Sequence, residues 1–272
     1  MKTMAIDGAT VGWTDTGVGA ATLLLHAGGF GAWFAPLAER LPGRVVRMLR
    51  AGYAGGPPVS EIIEVADHAA HAAAVLETLG AGPATVVGHS SGSVIALQLA
   101  HDRPDLVTRL VLSEPPLIDS LLDPADVGEV QATLGPAMGT ALGAAARGDI
   151  PAASDAFNTA VLGPDYRSVL VDVLGEAGLT HAQGEAGFFF ANEIPAMNRW
   201  TPVDLSRITV PVLLVQGAAS PGPTHRLVAR LAGALPAAST TTIAGANHLL
   251  PLTHPRELAD AVTSWSRQTP TT

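Results

Sequence analysis

The residues from Ala84 to Ala100, ATVVGHSSGSVIALQLA, constrain the chain more than any other stretch. An apolar run ends in Gly88-His89-Ser90-Ser91-Gly92, and a small-residue helical pattern over residues 91 to 102 follows at once. A strand that turns directly into a helix across G-x-S-x-G is the setting of a nucleophile elbow, in which a strained turn lifts the serine clear of the sheet. Side chains at Gly88 or Gly92 would crowd the neighbouring backbone of such a turn. The new helix also aims free N–H groups and the positive end of its dipole at the serine. Ser90 is therefore the candidate nucleophile, and it needs a base, an acid and an oxyanion site.

Short apolar runs alternate with helical patterns along much of the chain. TMAIDG and TVGWTDTG read as an opening strand pair, ATLLLHAGG as a third strand, and RVVRML (Arg44 to Leu49) as a fourth, followed by a loop, RAGYAGGPP. Residues 61 to 79 place Ile62, Val65, Ala69, Ala72, Val75, Leu76 and Leu79 on one helical stripe. ATVVGHS, RLVLSEP, VPVLLVQG and STTTIAG complete the strand set, with helices expected from Thr224 to Leu235 and from Pro255 to about Trp265. This alternation predicts an α/β fold with a mostly parallel eight-stranded sheet covered on both faces. Between Pro116 and Trp200 no strand pattern is visible. Residues 117–200 are read as a helical lid inserted into a core formed by 1–116 and 201–272.

Composition removes several function classes. Hydrophobic residues make up 47% and charged residues 14%, so a large core is available and wholesale disorder is excluded. The net charge of −9 comes without any basic block, which argues against nucleic acid and anionic membranes as partners. No cysteine is present, so disulfides, zinc-thiolate sites, iron–sulfur clusters and thiol catalysis drop out together. The N-terminal residues lack the apolar stretch of a secretory signal, and no run approaches the ~18 apolar residues of a membrane span. A cytoplasmic protein is expected, with no cofactor and no metal. Self-association as a homodimer is left open.

An acyl-transfer enzyme needs N–H donors aimed at the developing oxyanion. Leu25-His26-Ala27-Gly28-Gly29-Phe30 is glycine-rich at the end of the third strand, where backbone must approach substrate. Gly28 is the expected donor, with Gly29 close behind and Ser91, the residue after the nucleophile, supplying the second amide. His26 is read as bracing this loop. Together LLLHAGGFG, RAGYAGG, VVGHSSG, LVLSEPP, VPVLLVQG and AGANHLLPLTHP resemble the α/β-hydrolase superfamily over essentially the whole chain. The resemblance implies triad members in the order nucleophile, acid, histidine.

That order implies His248, just past the last strand pattern in IAGANHLL, as the base. His254 is assigned to the start of the final helix. His68 and His71, three apart in a helix, are read as exposed or half-exposed, and no third metal ligand accompanies them. In most relatives an Asp follows the strand corresponding to PVLLVQG, but here the residues are Gly217-Ala218-Ala219-Ser220-Pro221. Serine cannot supply the charge that steadies an imidazolium. The preceding strand carries Glu114 at its carboxyl end, where catalytic groups gather in doubly wound sheets, and an unpaired carboxylate there would be costly. Glu114 is the expected acid, Ser220 is expected to be dispensable, and Asp119 and Asp123 are placed on the surface. A Ser-His-Glu set of this kind is similar to the fungal zearalenone lactonases, which hydrolyse a macrocyclic resorcylic lactone.

The expected activity is hydrolysis of a carboxylic ester or lactone of a hydrophobic small molecule through an acyl-enzyme. Gly29 and the lid aromatics, Phe188 and Trp200 with Phe189, Phe190 and Met197, are candidates to line the substrate pocket. A biosynthetic enzyme doing cyclisation, carbon–carbon cleavage or acyl transfer would carry the same triad. So would a ligand-binding protein with a relic triad.

Overall fold

The computed structural model describes residues 1–56 and 61–267, so the last two residues of the RAGYAGGPP loop lie outside the described range. Eight strands form one sheet in the order β1-β2-β4-β3-β5-β6-β7-β8. They are β1 (Lys2–Ile6), β2 (Ala9–Thr16), β3 (Ala21–Leu25), β4 (Arg44–Leu49), β5 (Ala84–His89), β6 (Val107–Ser113), β7 (Val212–Gly217) and β8 (Ala238–Ile243). The first pairings, β1 with β2 and β2 with β4, are antiparallel, and every pairing from β4 to β8 is parallel. The eight expected strands are all present, within a few residues of their expected bounds.

Helices cover both faces. The short α1 (Ala35–Ala38) precedes β4, α2 (Val65–Thr78) precedes β5, and α3 (Ser91–Asp102) follows β5. A reciprocal capping box starts α2, with the Glu64 N–H donating to the Asp67 carboxylate at 2.9 Å. One core cluster joins Val65, Leu76, Ile95, Leu99 and Leu227 to Val86 and Leu112 of the sheet. A second joins Leu37, Leu258 and Val262 to Val87 and Val111 on the opposite face. Alternate residues of β5 thus serve opposite cores, as the period of a strand requires.

Between β6 and β7 the chain is helical, with α4 (Pro124–Ala146), α5 (Ile150–Leu162), α6 (Tyr166–Phe188) and α7 (Ile194–Arg199). Gly175 breaks α6 at φ 74°, and a π-helical turn over Phe189–Glu193 links it to α7. After β7 come α8 (Gly222–Ala234), the short α9 (Leu250–Thr253) and α10 (Pro255–Ser266). No described helix is long and apolar enough to cross a membrane.

The order of connection reverses between β3 and β5, which lie side by side although β4 intervenes in the chain. A crevice forms at the carboxyl ends of strands at such a switch point. Here the Gly28 loop after β3 and the Ser90 turn after β5 flank that point.

Candidate active site

Ser90 holds φ 51° and ψ −124°, a conformation that L-residues rarely adopt. The surroundings enforce it. Ser90 N–H donates to the Ser113 carbonyl at 3.0 Å, and Ser93 N–H donates to the Ser90 carbonyl at 2.8 Å. A Cβ at Gly88 would lie 2.3 Å from the Gly92 carbonyl oxygen, and one at Gly92 would lie 2.0 Å from that of Leu25. Both glycines are therefore needed for β5 and α3 to meet at this angle. Ser90 itself is half-buried.

Three non-glycine residues of the described chain have positive φ: Asp7, Ser90 and Glu114. Asp7 sits in the turn between β1 and β2, whereas the other two stand at the ends of neighbouring strands. Backbone strain that is not needed for a turn clusters where side chains must be aimed. Glu114, at φ 47°, has its N–H held by the Val215 carbonyl at 2.9 Å, and it is 1% exposed.

The Glu114 carboxylate is divided between two tasks. Oε2 receives His248 Nδ1 at 3.3 Å. Oε1 accepts the Gly217 N–H at 2.6 Å and the Ser220 hydroxyl at 2.7 Å. Burial alone would raise its pKa, but the bond and charge of His248, with the Gly217 and Ser220 donors, overcome this and leave it below the ordinary glutamate value. With Nδ1–H donating to Glu114, Nε2 of His248 is left as the acceptor, which is the tautomer a general base requires.

Ser220, which sequence reasoning set aside, thus has a place in the site. It occupies the position where an Asp would stand and donates to Glu114 instead. Removing one of the three donors on a buried carboxylate costs about 1 kcal/mol. Ser220→Ala is accordingly expected to lower kcat a few-fold and to destabilise the fold by about 1 kcal/mol at neutral pH. Because Glu114's folded pKa is depressed, its stabilisation is present above its unfolded value and is lost as pH falls through the folded one. Urea titrations of wild type and variant should therefore converge at acid pH, below the ordinary 4.5 of a glutamate. A gap that stays constant down to that range would show that the Ser220 hydroxyl does not act through the carboxylate.

Around His248 the walls are aromatic. His89 lies 4.9 Å away ring to ring, and Trp33 meets its edge at 6.2 Å. Burial, then repulsion from His248, push the pKa of His89 well down, so it stays neutral. His26 braces the β3 loop as expected, with Nδ1 against the Ala27 carbonyl at 2.7 Å and Nε2 accepting the Arg50 N–H at 3.1 Å. His254 stands at the start of α10 and pairs with the Thr253 hydroxyl at 2.8 Å without capping the helix through its side chain. His68 and His71 depart from expectation: both are buried, 0% and 3% exposed, because they face the inner side of α2. Among the described residues no group of three His, Cys, Asp or Glu could hold a metal ion.

The Gly28 carbonyl accepts the Trp33 indole N–H at 3.0 Å. A Cβ at Gly28 would run into the Phe189 ring at 2.6 Å and the Glu193 carboxyl carbon at 2.9 Å, so glycine is required for the lid to seat. Gly29 N–H is given to the Tyr53 hydroxyl at 3.1 Å, which leaves the Gly28 amide as the better candidate donor. Ser91, 5% exposed, is the first residue of α3.

The lid aromatics divide between two duties. Phe189 and Phe190, with Gly29, Phe30, Phe157 and Leu170, border a narrow apolar slot between α5 and α6. Phe188 instead packs edge-on against Tyr53 at 5.1 Å, over Gly52, where a Cβ would meet its ring at 2.3 Å. Met197 is buried in the main core, and Trp200 is buried with its indole N–H on Gln98 Oε1 at 2.9 Å, two turns along α3 from Ser91. These last two fasten the end of the lid to the sheet domain.

Residues 22–261 match the model of the alpha/beta hydrolase family. The chain belongs to this family. Lipase LipV of Mycobacterium tuberculosis is 48% identical to it over 58 residues, which is 21% of this chain and 21% of that protein. The match therefore spans about a fifth of the length of that relative. Among solved structures, Est816, an N-acyl homoserine lactone degrading enzyme, superposes at a TM-score of 0.69 with 20% identity, covering 97% of this chain and 100% of its own. MGS-M2, an α/β hydrolase enzyme from a Medee basin deep-sea metagenome library, superposes at 0.78 with 16% identity and covers 98% of both chains. At these identities the structures show the shared fold.

Sequence reading missed Arg50, Tyr53, Trp33 and Glu193. Glu193 carried the same signal that exposed Glu114, an acid inside an apolar run (GFFFANEIPAMNRW), while Arg50 and Tyr53 lie in the loop after β4 and Trp33 in a short 3-10 turn (Gly31–Phe34), where contacts are made only by folding.

Proposed function

We propose that the protein is a serine hydrolase that cleaves a carboxylic ester or lactone of a hydrophobic small molecule, with Ser90 as nucleophile, His248 as base and Glu114 as acid. The observation that carries this reading is the Glu114–His248 pair at 3.3 Å, with Ser220 supporting the acid from the position where an Asp was missing.

In the first step His248 Nε2 takes the Ser90 proton as Oγ attacks the carbonyl carbon. The amides of Gly28 and Ser91 hold the oxyanion, and the tetrahedral intermediate collapses by breaking the bond to the alkoxy oxygen, which leaves with the proton from His248. Water then attacks the acyl-enzyme, giving its proton to His248 and releasing the carboxylic acid and free Ser90. In a lactone the acid and the alcohol leave as one opened molecule. Glu114 stays ionised throughout and steadies the imidazolium.

A hydrophobic substrate is favoured by Phe30, Phe157, Phe189 and Phe190, which border a narrow slot that Gly29, next to the candidate oxyanion donor, also lines. The lactone half of the reading draws on the similarity to the zearalenone lactonases and on Est816, a lactone-degrading enzyme of the same fold. A panel of p-nitrophenyl esters of rising chain length and of aliphatic and aromatic lactones, run beside Ser90→Ala, tests it. Turnover that depends on Ser90 and puts one oxygen of ¹⁸O-labelled water into the acid is expected. Products without label would point to acyl transfer or carbon–carbon chemistry.

A further inference from the structure

Beside the elbow lies a buried polar relay that takes no direct part in the acyl transfer. Arg50 follows β4 and Glu193 closes the π-helical turn of the lid, and both are 0% exposed. Arg50 Nη2 donates to Glu193 Oε1 at 2.7 Å and, at a long 3.4 Å, to the Ser91 hydroxyl. The Tyr53 hydroxyl donates to Glu193 Oε2 and itself accepts the Gly29 N–H at 3.1 Å. One lid carboxylate therefore connects, through Arg50, to the first residue of α3 and, through Tyr53, to the loop after β3. These are the two segments that carry the Ser91 and Gly28 amides.

Glu193 is the carboxylate that pairs with the Arg50 head group. Arg50 Nε and Nη1 have no hydrogen-bond partner among the described residues, and the guanidinium carbon lies 5.1 Å from the centre of the Tyr53 ring. The Glu193 carboxyl carbon also lies against Gly28, where any Cβ would meet it. A second lid carboxylate, Glu185, accepts the Gly31 N–H at 2.9 Å a little further along the same loop.

We propose that Glu193 is a positioning residue that sets the oxyanion site from the lid, so that the Gly28 and Ser91 amides converge only when the lid is docked. This rests on the serine-hydrolase reading above. The relay stabilises the geometry the transition state needs and makes no contact with the ground-state ester, so its loss belongs in kcat and not in KM.

The test uses Tyr53→Phe and Glu193→Gln in the full chain, with active sites counted by fluorophosphonate labelling of Ser90. Tyr53→Phe removes one oxygen from the relay and leaves the Arg50–Glu193 pair in place. Each variant is expected to lose about tenfold in kcat per labelled site, less than the loss of a whole oxyanion donor, with KM within twofold. Affinity for an aryl trifluoromethyl ketone, whose adduct with Ser90 carries an oxyanion, should fall in proportion. If Glu193→Gln folds poorly because Arg50 is left unpaired, Tyr53→Phe decides alone. Tyr53→Phe with wild-type kcat and wild-type ketone affinity overturns the proposal, as does a change confined to KM. A wild-type protein that the fluorophosphonate fails to label would instead overturn the serine-hydrolase reading, so the two failures are distinct.

Discussion

Ser90→Ala is expected to lower kcat by about 10⁶-fold, the loss seen when a nucleophile acting in concert with its base is removed. Its stability should stay close to that of wild type, because alanine keeps the Cβ and meets the same left-handed φ of 51°. Ser90→Gly should be equally inactive and yet more stable. A non-glycine residue in this conformation costs ~1–3 kcal/mol, and glycine removes that cost while adding ~0.4–1 kcal/mol of unfolded-state entropy. The balance is a gain of about 1 kcal/mol for glycine over alanine, readable in urea unfolding at neutral pH. A glycine variant less stable than the alanine variant would mean that the turn is not strained. The elbow thus trades stability for the exposure of one hydroxyl.

Glu114→Gln is expected to lower kcat by about 10³–10⁴-fold while leaving the fold intact. The reason lies in the two ends of the carboxylate. Gly217 N–H and the Ser220 hydroxyl both point donors at Oε1, so a glutamine would set its carbonyl there. Its NH2 would then face His248 Nδ1, which must become an acceptor. The proton moves to Nε2, and the imidazole can no longer take one from Ser90. Glu114→Asp should be milder in charge but too short to span Gly217 and His248 together. The stability loss for Gln at neutral pH should be modest, since glutamine keeps the Gly217 and Ser220 bonds and losing the charge also removes its burial cost.

Much of this was legible in the sequence because strands and helices of an α/β sheet announce themselves by period. All eight strands and the core helices α2, α3, α8 and α10 follow from apolar spacing and glycine placement, whereas the one-turn helices α1 and α9 are too short to show a period. Ser90 was legible because its strand, turn and helix coincide in one stretch, and Glu114 because an acid ends an otherwise apolar strand. The lid was legible only as an absence of strands. Its helices carry short, Ala- and Gly-rich faces with weak periodicity, so the sequence does not say which aromatic faces the slot and which faces the core. Phe189 and Phe190 reach the slot, whereas Met197 and Trp200 are drawn into the main core by α3. The burial of His68 and His71 was missed because polarity alone put them outside, although each stands four residues before a buried apolar residue of α2, Ala72 and Val75. Ser220 and the Arg50–Tyr53–Glu193 relay depend on contacts between residues far apart in the chain, which no local pattern encodes.

The central claim is that the acid of this hydrolase stands after β6, at Glu114, and that Ser220 only supports it. Pre-steady-state acylation by a p-nitrophenyl ester measures the step in which that acid acts. Wild type should show a burst of p-nitrophenol, absent in Ser90→Ala, slowed about 10³–10⁴-fold in Glu114→Gln and a few-fold in Ser220→Ala. A Glu114→Gln burst within twofold of wild type would contradict the account.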